Sequence, residues 1–186
     1  KIYSNDVDMK AIIMELAYTL SGRAVNDQST LFLLGEASTG KSFIMQLTGD
    51  TIECYFKELQ DDTFAIGNTK LDKILNSFMN EPYIRLAWLN EMKDAKINDT
   101  AFKNWCDGRL ATTVLFKDGQ HNFQHNSKAV ISANTMPSIM VNSGITRRIE
   151  AFTHKSKFVD NQKDVDENKH IYLKDKQVGI SDFQMD

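Results

Sequence analysis

Between residues 30 and 42 a continuous apolar run, Thr30-Leu31-Phe32-Leu33-Leu34, passes straight into a glycine-bounded loop and then into Lys41-Ser42. No other stretch limits the fold so tightly. A run with no polar alternation suits a strand covered on both faces, so it predicts a sheet with a layer on each side. Gly35, Glu36, Ala37, Ser38, Thr39, Gly40, Lys41 and Ser42 match G-x-x-x-x-G-K-[ST] without departure. Phe43 to Leu47 can then open a helix directly from the loop.

The remaining chain alternates strands and helices. Residues 7 to 20 carry Met9, Ile12, Ile13, Leu16, Ala17 and Leu20 at helical spacing, with Asp6 as N-cap. Glu53 to Phe56 is a weaker strand candidate, and Leu71 to Met79 reads as an amphipathic helix. Tyr83 to Leu89 is a second buried strand, and Thr100 to Trp105 is a helix that Asp107-Gly108 ends. Thr113 to Phe116 and Gln120 to Gln124 flank Asp118-Gly119, a strong hairpin signal. Ala129 to Ala133 and Ile149 to Phe152 complete the strands. This order predicts an α/β fold: a P-loop NTPase (AAA+-like) core with a mostly parallel central sheet, helices on both faces and an inserted β-hairpin. The expected divisions are a helical lead-in at 1–29, the core at 30–158 and a polar tail at 159–186.

The loop's chemistry follows from its residue types. Glycines let successive backbone N–H groups turn inward as a nest for phosphate oxygens. Lys41 supplies a point charge for the β and γ phosphates, and the N-terminus of the next helix adds partial positive charge. Ser42 offers a hydroxyl to magnesium. ATP and Mg2+ are therefore the expected ligands. Hydrolysis needs a carboxylate at the end of a neighbouring strand, where Asn90-Glu91 follows Tyr83 to Leu89. Glu91 is placed to polarise water, with Asn90 beside the magnesium shell. Asn134 follows the third core strand, where its amide can read the γ-phosphate.

The order of these segments resembles superfamily 3 helicases, viral and plasmid replication motors within the AAA+ class. The likeness is nearest to primase-helicases of poxviruses, other large DNA viruses and satellite phages, and it spans residues 30 to 158. GEASTGKS is similar to motif A, RLAWLNE to motif B, FKNWCDGRLATTVLFKDGQHNF to motif B′ and AVISANTMP to motif C. Many relatives end motif B with two adjacent acids, whereas Asn90 takes the first place here. The resemblance implies a hairpin that grips one DNA strand in the channel of a ring, presenting Lys117, Gln120 and His121. It also implies an arginine finger from GITRRIEAF, Arg147 or Arg148, with Arg148 the expected member.

Composition leaves room for this reading. The net charge of −3 argues against a generally basic nucleic-acid coat but not against positive charge confined to a channel. Cys54 and Cys106 lack zinc or redox spacing, and no apolar run approaches a bilayer span. The chain opens at Lys1 without a leader and is expected to be an intracellular domain cut from a larger protein, with no membrane partner. The expected function is an ATP-dependent DNA helicase motor on single-stranded DNA or a forked duplex, working as a homo-oligomer, a hexamer by resemblance. The alternatives are an ATPase that remodels nucleic acid or protein without unwinding, and a non-catalytic nucleotide-binding oligomerisation module.

Overall fold

The computed structural model describes residues 2, 6–68, 70–92, 96–113, 119–140 and 142–175. At its centre β1 (Thr30–Leu34), β2 (Phe56–Leu59), β3 (Leu86–Leu89), β6 (Lys128–Ala133) and β7 (Ile149–Thr153) form one sheet in the order β2-β3-β6-β1-β7. Every pairing in that sheet is parallel. The α/β architecture and the parallel sheet are thus as the sequence implies.

Alternation along the strands decides where the helices lie. Leu31, Leu33, Leu86, Trp88 and Val130 face one way and pack on Ile12 and Leu16 of α1 (Asp6–Leu20) and Met45 of α2 (Lys41–Ile52). Phe32, Ala87, Leu89, Ala129 and Ile131 face the other way. They meet Leu75 and Phe78 of α3 (Leu71–Asn80) and Phe102 and Trp105 of α4 (Asp99–Cys106). Each fully buried large apolar side chain here contributes roughly 1.5–3 kcal/mol relative to exposure. Trp88 keeps its indole satisfied in the core by donating from Nε1 to Ser132 Oγ at 2.9 Å.

Local chemistry sets the element ends. Asn98 Oδ1 accepts from the N–H groups of Thr100 and Ala101, both at 3.1 Å, and so caps α4. The strand candidate at Glu53 to Phe56 begins later than expected. Residues 53–55 form a 3-10 turn, and pairing with β3 starts at Phe56.

β4 (Arg109–Thr113) and β5 (Gln120–Gln124) form a separate antiparallel ribbon. Its first strand starts at Arg109, ahead of the expected Thr113 to Phe116, because Leu110 and Thr112 already alternate inward. Residues 114–118 lie outside the described residues. The ribbon is seated on α3: Thr112 Oγ1 donates to Asp72 O at 3.1 Å, and Asn76 Nδ2 donates to Thr113 O at 2.9 Å.

A buried lysine joins α1 to the sheet. Lys128 on β6 has a fully buried side chain whose ammonium donates to Glu15 Oε2 of α1 at 2.6 Å and Glu150 Oε2 of β7 at 3.3 Å. Of the polar tail expected at 159–186, residues 159–175 are described, and they carry short elements. β8 (Lys157–Val159) pairs in parallel with β9 (Ile171–Leu173), and 3-10 turns at 162–164 and 167–169 lie between them. No helix among the described residues is long and apolar enough to cross a membrane.

Candidate functional site: a glycine loop at the C-terminal edge of the sheet

Parallel strands deliver their C-terminal ends to one edge, where α/β sheets hold their ligands. β1 ends in the Gly35–Ser42 loop, β3 in Asn90-Glu91 and β6 in Asn134. Backbone bonds hold these ends together: Gly35 N–H donates to Ala133 O at 3.2 Å, and Met92 N–H to Ser132 O at 3.2 Å.

The loop needs unusual backbone angles. Gly40, the N-cap of α2, has φ +88°, and Gly35 has φ +148°. A Cβ on Gly35 would come within 2.7 Å of the His154 carbonyl oxygen, so the close packing beneath the loop excludes any side chain there. Gly40 caps α2 without a side chain, leaving the first turn's N–H groups to an anion.

Lys41 is buried, and its ammonium donates to Gly35 O at 2.5 Å, Glu36 O at 2.7 Å and Thr39 Oγ1 at 3.2 Å. Burial lowers its pKa, and the nearby Glu91 carboxylate works in the opposite direction. Ser42 Oγ donates to Asn90 Oδ1 at 3.3 Å, bringing together the residues expected to flank a magnesium ion. Glu91 is exposed and holds φ +51°, which turns the chain sharply at the end of β3. Asn134 is also exposed, at the end of β6.

The oxygen donors of Ser42, Asn90 and Glu91 suit a hard cation such as magnesium, which usually takes few protein ligands and shares its shell with phosphate and water. Among the described residues no group of three or more His, Cys, Asp or Glu is placed to hold a metal ion. The loop and this donor set can together take up a polyphosphate and its cation.

The other expected site residues separate. Arg148 is buried, with Nη2 on Asp107 Oδ1 at 2.5 Å and Nη1 donating to Gly144 O at 2.6 Å. Arg147, its neighbour, is exposed. The structure therefore turns Arg148 inward to tie α5 (Ser143–Thr146) to the end of α4, and leaves Arg147 on the surface. Lys117 lies outside the described residues. Gln120 pairs with Thr113 in the ribbon, and His121 stands opposite Thr112, whose side chain is buried. His121 thus belongs to the ribbon's inner face, where its Nε2 has no hydrogen-bond partner among the described residues.

His154 and the C-terminal segment lie outside every motif picked out in the sequence. His154 N–H donates to Leu34 O at 2.7 Å, directly under the loop. Burial, aided by the charge of Lys41, lowers its pKa to about 4, so the imidazole is neutral near pH 7. Phe158 N–H donates to Ser38 O at 2.8 Å, bringing β8 against the loop. A cavity of about 850 Å³ runs from loop residues 37–43 and Glu91 to Phe158, Val165, Tyr172 and Leu173. Spacing along the chain carries no sign of this. The signal lies in topology, because β7 pairs in register with β1 and so sets its following residues beside the loop.

Comparison with known proteins gives a likeness of fold. No family model matches the chain, and no curated protein matches it. Among solved structures, the A form apo structure of the NrS-1 C-terminal region matches with a TM-score of 0.54 and 14% identity, over 86% of this chain and 37% of that one. An apo structure of the same region matches at 0.54 and 16%, over 88% of this chain and 39% of that one. A further A form structure matches at 0.51 and 13%, over 84% and 36%. The chain thus spans less than two fifths of each of these three structures. At such identities the shared property is architecture: this chain has the α/β fold found within the C-terminal region of NrS-1.

Proposed function

We propose that this chain is the ATP-hydrolysing motor domain of a replication helicase that moves along single-stranded DNA as a ring of like subunits. The observation that carries the reading is the convergence of Lys41, Ser42, Asn90 and Glu91 at one edge of a parallel sheet. In this reading the loop amides and Lys41 bind the triphosphate, and Ser42 and Asn90 orient the magnesium shell. Glu91 draws a proton from the attacking water, and Asn134 positions that water or the γ-phosphate. Magnesium, when bound with the nucleotide, would neutralise charge on the phosphate oxygens.

The helicase part rests on the ordered motifs that resemble superfamily 3 and on the ribbon inserted before β6. The exposed Arg147 is the member of the pair free to reach a neighbouring subunit, since Arg148 is occupied by Asp107. The ribbon, seated on α3, would carry Lys117 towards DNA at the centre of the ring.

The test is magnesium-dependent ATP turnover with and without single-stranded DNA, for wild type beside Lys41→Ala, Glu91→Gln and Arg147→Ala. The expected result is turnover raised by DNA and reduced at least about a hundredfold by the first two substitutions. Turnover indifferent to DNA and to Arg147→Ala would remove the ring-motor reading while leaving the phosphate loop in place.

A further inference from the structure

The cavity beside the loop is chemically two-ended. One end holds Lys41, Ser42 and Glu91, with the Ile2 side chain against Gly40; the other is walled by Phe158, Val165, Tyr172 and Leu173, with Gln162, Glu167, Lys174 and Asp175 among them. The second wall is built rather than accidental. β8 and β9 pair in register with Phe158 beside Tyr172, and their ring centroids lie 6.2 Å apart. The wall is fixed to the loop through Phe158 N–H and Ser38 O. Lys174, which also lines the cavity, holds the two strands together: its N–H donates to Val159 O at 2.9 Å and its ammonium donates to Asp160 Oδ2 at 3.0 Å. A ligand that fills such a space carries negative charge at one end and a flat apolar ring at the other.

We infer that β8, β9 and the turns between them form the base subsite of the nucleotide site, with Phe158, Val165, Tyr172 and Leu173 taking the heteroaromatic base of a nucleoside triphosphate. This rests on the phosphate-loop reading above and extends it to residues outside every motif that supported it. Contact with an aromatic or apolar wall recognises the base by its face, while Gln162 at the rim brings an amide able both to donate and to accept. The C-terminal segment thereby gives the site its preference for a nucleotide over bare polyphosphate.

Binding of ATP and of inorganic tripolyphosphate, each with magnesium, is measured by calorimetry on the whole chain. Wild type is compared with Phe158→Ala, Leu173→Asp and Lys41→Ala. Leu173 is 43% exposed, so its substitution keeps the fold while charging the wall. Wild type should bind ATP more tightly than tripolyphosphate. Phe158→Ala and Leu173→Asp should each weaken ATP roughly ten- to hundredfold and leave tripolyphosphate within about twofold. Lys41→Ala should weaken both ligands. Unchanged ATP affinity in the two wall variants, or equal wild-type affinity for the two ligands, overturns the base subsite while sparing the phosphate loop. Failure of wild type to bind either ligand overturns both.

Discussion

Ser42 Oγ donates to Asn90 Oδ1 across 3.3 Å, so a hydroxyl from the first turn of α2 meets an amide oxygen at the end of β3. The amide oxygen stands where a carboxylate oxygen would and keeps its place as an acceptor, but it brings no negative charge. Asn90→Asp should therefore preserve the geometry and strengthen the cation site. The expected outcome is a several-fold fall in the magnesium concentration needed for half-maximal nucleotide binding, with Asn90→Ala raising it. A magnesium titration of fluorescent nucleotide binding reads both, and equal behaviour of the three proteins would separate Asn90 from the metal.

The adjacent arginines should divide cleanly between stability and activity. Arg148→Ala strips the partner from Asp107 and from the Gly144 carbonyl in a buried setting, with an expected loss of about 3 kcal/mol. Arg147→Ala, at an exposed position, should change stability by no more than about 0.5 kcal/mol. Denaturant unfolding measures the two. A stable Arg148→Ala protein would contradict the inward role given to that side chain.

Two histidines should make the fold sensitive to acid. His125 Nδ1 accepts from Ser127 N–H at 3.2 Å, so the proton sits on Nε2, which donates to Trp105 O at 3.0 Å. Burial lowers the pKa of both His125 and His154 from 6.5 to about 4. Between those values the unfolded chain takes up protons that the folded chain refuses, so stability is full above about pH 6.5 and declines as pH falls towards 4. Each group accounts for about 3 kcal/mol across that window. Unfolding free energies at pH 7 and pH 4.5 should show the loss, and His154→Gln should reduce it. An equal slope in the variant would clear His154.

Gly35→Ala tests the seat of the loop. The added Cβ would meet the His154 carbonyl oxygen at 2.7 Å, at a φ of +148° that side chains rarely adopt. The expected result is a loss of roughly 1–3 kcal/mol together with weakened phosphate binding. Thermal unfolding and tripolyphosphate titration check the two effects. A variant as stable as wild type would mean that the strand below gives way easily.

The parts legible in the sequence are those whose cause is local. Thr30–Leu34 reads as a covered strand because its apolar residues are contiguous, and the strand falls on those residues. The Gly35–Ser42 loop is legible because its geometry depends on glycines within it. The sequence leans to Arg148 as the finger and carries no sign of the partner that turns it inward, Asp107, 41 residues away. Residues 159–186 read as a polar tail because apolar members are few and scattered among charges; within the described part, 159–175, a wall nonetheless forms. It forms only through pairing of β8 with β9 and the contact of Phe158 with Ser38. The turn of the ribbon falls outside the described residues, so the expectation for Lys117 rests on motif order alone.

The buried Lys128 also has a mechanical meaning. Its ammonium faces Glu15 on α1 and Glu150 on β7, while its backbone belongs to β6, the strand that ends beside Asn134. Lifting α1 away would take Glu15 with it and leave the buried ammonium with the longer Glu150 contact alone, so a pull on that helix is resisted by electrostatics as well as by apolar contact. Force applied to α1 is passed through one side chain to two strands of the sheet, making the helix a rigid handle on the edge that carries the glycine loop rather than a loose tether.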